Sequence, residues 1–209
     1  MAVLNVEWGT LARVSPVEAV VTPDEDTEGT DEEAPKPLAE KPFIVWIQDP
    51  LDEEANGKIT KTVLDPDKVR VGTNYFKCVK MTEEEAKADP LLAESGKKLP
   101  RMVFVTHEYK VAAVVEGKIS SSKVYAAMKK TAKKSYKGNF DRSVKSVIKL
   151  LGKLDKIAND RKMLSQKEAK DPKPAELKKI AKEKEALEEE EKEVLDERKR
   201  LLTPELKAA

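Results

Sequence analysis

Apolar residues recur along this chain in several rhythms, and each rhythm implies a different element. The run FIVWI at 43–47 is continuous, as expected of a strand covered on both faces. NYFKCVKM at 74–81 reads as a second strand. RMVFVT at 101–106 and AAVVEG at 112–117 read as two more, joined by a turn at 107–110. Between the first two, residues 53–64 read as a helix, although Gly57 and β-branched residues weaken it. TEEEAKADPLLAESG opens a helix with Thr82 as N-cap and Glu85 three residues on, a capping box, and Pro90 ends it. The spacing then changes. Val124, Ala127, Met128, Thr131 and Ala132 share one face of a helix over 120–136, with lysines opposite. The order strand, helix, strand, helix, strand, strand, helix predicts an α/β fold, with a mixed sheet flanked by helices.

Residues 139–209 have a different pattern. Phe140, Val144, Val147, Leu151, Leu154 and Ala158 follow alternating steps of four and three, a coiled-coil-type seam. The stretch DPKP interrupts it, and Pro174 suits the first turn of the next helix. That helix, over 175–202, repeats Leu177, Ile180, Leu187, Val194 and Leu201, but Lys184, Glu191 and Arg198 occupy the alternate positions. A charged α-helical hairpin folded about residue 172 makes facing positions sum to about 344. Ile180 then meets Leu164, Leu187 meets Ile157, Val194 meets Leu150, and Leu201 approaches Val144. The acidic run 188–191 then lies beside Lys153 and Lys156. Association of these helices with a second chain is the rival reading, so the oligomeric state stays open.

Charge sharpens this division into 1–39, 40–138 and 139–209. Charged residues make up 38% of the chain, against roughly 25% in an average soluble domain. Residues 1–40 carry ten acids and two bases, and residues 118–170 carry sixteen bases and four acids. The first 39 residues contain two strand candidates, VLNVEWG and VEAVV. Between these and the central domain lies TPDEDTEGTDEEAPKP, a stretch with nothing apolar to offset its ordering entropy, which reads as a solvated linker. No apolar run approaches the ~20 residues that cross a bilayer, so no membrane association is expected. The N-terminal stretch does not read as a signal peptide. A single cysteine fits a reducing, cytoplasmic setting.

The stretch KLPRMVFVTHEYKVAAVVEGKIS at 97–119 is the most specific piece of the sequence. It places Leu99–Pro100 directly before a strand, then a hairpin, then Gly117, then an amphipathic helix. In this order residues 41–136 resemble the thioredoxin superfamily. The resemblance implies a cis Leu99–Pro100 bond. It also implies a peptide groove bordered by the loop Gln48, Asp49, Pro50 and Leu51 and by Leu99 beside Pro100. That family's Cys-x-x-Cys pair follows the first central strand, at a helix N-terminus that favours thiolate. Here the equivalent stretch is QDPLDEEANGK, with no cysteine and with Asp49, Asp52, Glu53 and Glu54 in its place. The resemblance therefore implies the fold without the dithiol chemistry.

The remaining chemistry is sparse. Cys78 lies within a strand candidate, where a cysteine acts as a small buried hydrophobe. His107 is the only histidine and falls in the predicted turn; alone it makes no metal site. The carboxylates at 49–54 read as a helix start favoured by the macrodipole. No phosphate-binding glycine loop, nucleophile elbow or metal-ligand spacing is present, so no cofactor or metal is expected. The expected function is a redox-inactive, thioredoxin-like module for protein binding or assembly, not an enzyme. Two alternatives remain: a thiol-dependent oxidoreductase using Cys78, and a nucleic-acid-associated protein using lysine-rich 118–170.

Overall fold

Strong local signals set the first elements. In the computed structural model, which describes residues 8–10, 14–15, 38–170 and 172–208, the continuous apolar run forms β2 (Phe43–Ile47), buried at every position. The chain then makes a short helix α1 (Glu53–Lys58), whose N-cap Asp52 accepts a hydrogen bond from the Ala55 N–H. A wider π-type turn over Ile59–Val63 continues it. A further helix α2 (Asp67–Thr73) follows before β3 (Lys77–Met81). Helix α3 (Glu83–Ala88) carries the expected Thr82/Glu85 capping box. Strands β4 (Arg101–Val105) and β5 (Val111–Glu116) form a hairpin whose turn holds Tyr109 at φ 55°. Helix α4 is Ser121–Ser135, with Val124, Ala127, Met128, Thr131 and Ala132 buried. The N-terminal edge of the sheet is β1 (Trp8–Thr10), which overlaps the end of the first expected strand at Trp8 and Gly9. The second, VEAVV, and the acidic stretch 22–37 lie outside the described residues.

The sheet is mixed, in the order β1-β3-β2-β4-β5. β1 and β2 both run parallel to β3, whereas β4 is antiparallel to β2 and β5. Its two faces bury separate cores. Ile44, Trp46, Met102 and Phe104 pack with α2, α4 and the start of the helix that follows them. Phe43, Val45, Ile47, Val103 and Val105 pack against Ala86 and Leu92 on the other side. That second face also holds Val14. Its N–H and that of Ser15 donate to the buried carboxylate of Asp89 at 2.5 and 2.9 Å, and the Leu91 N–H donates at 2.9 Å. Burial alone would raise the Asp89 pKa, but the hydrogen bonds from Ser15, Val14 and Leu91 outweigh it and hold the carboxyl below its usual value.

Two 29-residue helices complete the chain, α5 (Phe140–Glu168) and α6 (Pro174–Leu202). At about 1.5 Å per residue each spans roughly 43 Å. They pack against each other within one chain, with Leu150, Leu154, Ile157 and Val194 buried between them and Leu187 and Leu201 half-buried alongside. Leu164 and Ile180 are buried nearer the loop. The seam departs from the sequence pattern in two ways. Leu150 and Ile157, the positions of the expected hairpin register, are buried in it, whereas of the four-three spacing Leu151 is only half-buried and Ala158 is exposed. The cause is a change of partner along α5: Phe140, Val144 and Val147 belong to the sheet-face core, and only the later turns meet α6. Secondly, the acidic run is tied through Glu191 to Arg161 at 2.5 Å, beyond the expected Lys153 and Lys156. Glu168 and Lys184 are joined in the same way at 2.5 Å. Both pairs add to 352, where the expectation was 344. Helical side chains lean toward their own N-termini, so across an antiparallel pair long side chains meet from Cα atoms offset in this direction.

After α6 the chain returns to the sheet domain. Leu206 bridges Tyr136, the Lys137 N–H donates to the Glu205 carbonyl, and the Lys207 N–H donates to the Ser135 carbonyl. His107, expected as a turn residue, is fully buried beneath this segment. Its Nε2 lies 3.0 Å from the Lys207 carbonyl oxygen, and its backbone N–H donates to Ser135 Oγ.

Two predictions follow from this packing. A Cβ on Gly72 of α2 would meet Met128 Sδ at 3.0 Å and the Phe140 ring at 3.3 Å. Gly72→Val is therefore expected to cost about 1–3 kcal/mol in urea unfolding, the usual range for overpacking; an unchanged midpoint would mean this contact is slack. Asp89 contributes stability above its unfolded pKa near 3.8, and that contribution is lost as pH falls through its lower folded value. Asp89→Asn should therefore be less stable than the parent at pH 7, and the gap should narrow in acid, as read by denaturant titration at both pH values.

Candidate functional site

The parallel pair β2–β3 ends where α1 begins, and the loop between them forms a hollow at the C-terminal ends of the strands. Crevices of α/β sheets bind ligands at such strand ends. The ladder is extended one step by the Gln48 N–H, which donates to the Met81 carbonyl at 3.1 Å. Asp49 then shapes the turn. Its Oδ1 accepts from the Leu51 N–H at 3.0 Å, and its carbonyl accepts from Asn56 Nδ2 at 2.8 Å. Such aspartate-to-backbone bonds two residues on favour turns over continued strand. Pro50 and Leu51 are left at the apex. Leu51 is 95% exposed, the most exposed large apolar side chain among the described residues.

The hollow has a volume of about 370 Å³ and is lined by Gln48, Asp49, Pro50, Glu53, Asn56, Met81 and Thr82. The Asn56 Oδ1 atom is buried without a hydrogen-bond partner. Of the six groove residues expected from the sequence, the structure thus brings Gln48, Asp49 and Pro50 around one cavity. Leu51 stands out into solvent. Leu99 is half-buried against the second core and Pro100 is buried; neither lines the hollow. The Leu99–Pro100 peptide bond is cis.

The segment leading to Pro100 is held from β5. Glu116 accepts from the backbone N–H groups of Lys97 and Lys98 at 3.0 and 3.1 Å. These bonds, Lys98 foremost, hold its carboxyl below the usual range, and the charges of Lys98 and Arg101 add to the effect. Arg101, next to Pro100, went unnoticed in the sequence pattern. Its side chain is 1% exposed, with Glu83 Oε1 4.0 Å from its Nη1. An arginine at a strand start reads as an edge residue; its burial comes from α3 and from the 96–100 segment folding over it, which no local pattern records.

Cys78 is far from thiolate chemistry. It is buried in β3, its Sγ lies 3.7 Å from the Thr73 carbonyl, and burial pushes its pKa up to about 12 despite the opposing charge of Lys41. It borders a hollow of about 1040 Å³ that opens between β1 and residues 38–41. Among the described residues no group of three or more His, Cys, Asp or Glu side chains is arranged to hold a metal ion. None of the described helices is long and apolar enough to cross a membrane.

No protein-family model, no curated protein and no solved structure matches the chain at a significant level. Among the described residues the fold is α/β: a five-stranded mixed sheet with six α-helices, the last two forming the C-terminal pair.

Cys78 supplies the prediction here. At pH 8 an aromatic disulfide reagent should label the native chain slowly and label it within seconds once urea unfolds it. Fast labelling of the native chain would place the thiol in reach of substrates and revive a thiol-based reaction.

Proposed function

We propose that this chain is a redox-inactive, thioredoxin-like module that binds an extended segment of a partner protein along the 48–52 loop and the Leu99–Pro100 edge. The strand order β1-β3-β2-β4-β5 supports the thioredoxin-like reading. The acidic turn at 49–54 replaces any thiol pair at the start of α1, and the one cysteine is buried in β3. Both features favour binding over catalysis. A single observation carries the binding reading: Leu51, 95% exposed, stands on a turn braced by Asp49 and Asp52, directly beside a hollow of about 370 Å³. An apolar side chain on a turn of braced backbone beside a hollow suits an anchor for a partner, since interface energy concentrates in a few such contacts. Backbone groups of an extended partner would supply the remaining bonds, as in strand addition.

Two measurements test this. The chain should not accelerate insulin reduction by dithiothreitol above the buffer rate. A photo-crosslinking side chain at position 51, introduced in cells, should give discrete protein adducts that are missing when the same group replaces Leu195 on α6, which is 38% exposed. Turnover abolished by Cys78→Ala would overturn the redox-inactive part. Identical adduct patterns from the two positions would overturn the binding site.

A further inference from the structure

Lysine-rich helices are usually just solvated, and composition alone leaves 118–170 at that. The structure adds a spatial order. Helix α4 contains no acidic residue and five lysines: Lys123, Lys129, Lys130, Lys133 and Lys134. All five are exposed. At 3.6 residues per turn they fall within an arc of about 140°, the whole solvent face of the helix. On α5, Arg142, Lys145, Lys149, Lys153 and Lys156 are exposed as well. They fall within about 80° and extend about 21 Å along the axis at 1.5 Å per residue.

The two stripes adjoin. Asp141 at the start of α5 lies 2.7 Å from Lys145 Nζ and 3.9 Å from Lys129 Nζ, and it accepts from the Tyr125 hydroxyl at 3.1 Å. Lys129 and Lys145, which flank it, keep about half of their side-chain surface exposed. One carboxylate thus joins a ridge of ten cationic side chains. On the flank toward α6 the stripe ends at acids: Asp160 shares a hollow with Glu183 and Glu190 of α6, while Glu191 is engaged by Arg161.

We infer that the α4–α5 ridge docks the phosphate backbone of a double-stranded nucleic acid without reading its sequence. Charge complementarity chooses the class: duplex DNA presents one negative charge per ~1.7 Å, so a rigid 21 Å stripe faces on the order of ten phosphates. Two absences among the described residues narrow it. Between residues 118 and 157 no large apolar side chain is exposed, whereas helices that lie in a membrane interface need an apolar face beside the basic one. No exposed aromatic ring lies on the ridge either. Tyr125 is half-buried with its hydroxyl bonded to Asp141, so the platforms that stack unpaired bases are missing. The ridge is separate from the 48–52 loop and stands or falls independently of the function proposed for it.

The test is fluorescence anisotropy of the full chain with a labelled 20-base-pair duplex of scrambled sequence. If four or five phosphates are neutralised, affinity should fall about a hundred- to five-hundred-fold from 50 to 200 mM KCl, following a slope of about −0.9 per phosphate. The double variants Lys130→Glu/Lys134→Glu and Lys149→Glu/Lys153→Glu should each weaken binding at least tenfold while circular dichroism is unchanged. Lys178→Glu/Lys182→Glu on α6 makes the same charge change and should leave binding nearly intact. Absence of binding at 50 mM KCl, equal loss in the α6 control, or equal competition by phosphatidylserine vesicles or polyglutamate would each overturn the assignment to duplex nucleic acid.

Discussion

The ring of Phe140 decides how the two halves of this chain are joined. As the first residue of α5 it sits among Tyr75, Phe76 and Tyr125, with centroids 5.1, 6.1 and 5.9 Å away, two of these contacts edge-on. Such pairs contribute ~0.5–1.5 kcal/mol beyond their buried area. Their greater effect is geometric. Gly72 leaves room for the ring against α2, Val144 and Val147 follow it into the same core, and α5 therefore leaves the domain in a fixed direction. Nothing flexible separates the sheet from the long helices, because the sheet's core extends into the first two turns of α5. The return path is equally anchored: Leu201, Leu202 and Leu206 pack on that core, and Lys207 closes over His107. The hairpin is clamped at its base on both strands of the chain and projects its loop end.

How far the sequence disclosed this depends on which forces were local. β2 and β4 were legible because strands buried on both faces must be continuously apolar, and FIVWI and RMVFV have few alternatives. Thr82/Glu85 was legible because a capping box is a short-range device. α2 was not read. Its valines favour strand by propensity, and the signals that mark it, Pro66 at the N-cap and Asp67 in the first turn, were passed over. Asn74–Phe76 consequently read as strand although they close the turn after that helix. The hairpin's existence was legible from its heptad spacing. Its seam was not fully so, because one periodic pattern on α5 serves two different partners in succession. Part of the candidate site was likewise legible. Gln48, Asp49 and Pro50 follow a strand end and share a hollow, but Asn56, Met81 and Thr82, which complete it, come from elements whose approach depends on the finished sheet. Arg101 and His107 show the limit: both are polar side chains buried by other segments packing over them, for His107 the distant Lys207, and periodicity contains no record of that.

The distribution of charge ties these observations to what the molecule can do. The loop end of the sheet carries Asp49, Asp52, Glu53 and Glu54 around an exposed leucine, and α4 carries lysines without a single acid. Both patterns disfavour the chemistry that a small α/β domain often hosts. Carboxylates at the start of α1 oppose formation of a neighbouring thiolate, and the thiol that exists is pushed up to about 12 by burial. The exposed surface is divided in sign. An apolar tip with an acidic surround suits a protein partner that brings backbone donors or basic side chains. The basic ridge suits a polyanion and repels such a partner. Since exposed ion pairs each contribute only ~0–1 kcal/mol and are screened by salt, a ridge of ten cations matters through its summed field more than through any one contact. If the two proposed surfaces are both used, the Phe140 anchor fixes their relative geometry, because the sheet's core runs on into the α5 turns that carry half of the ridge.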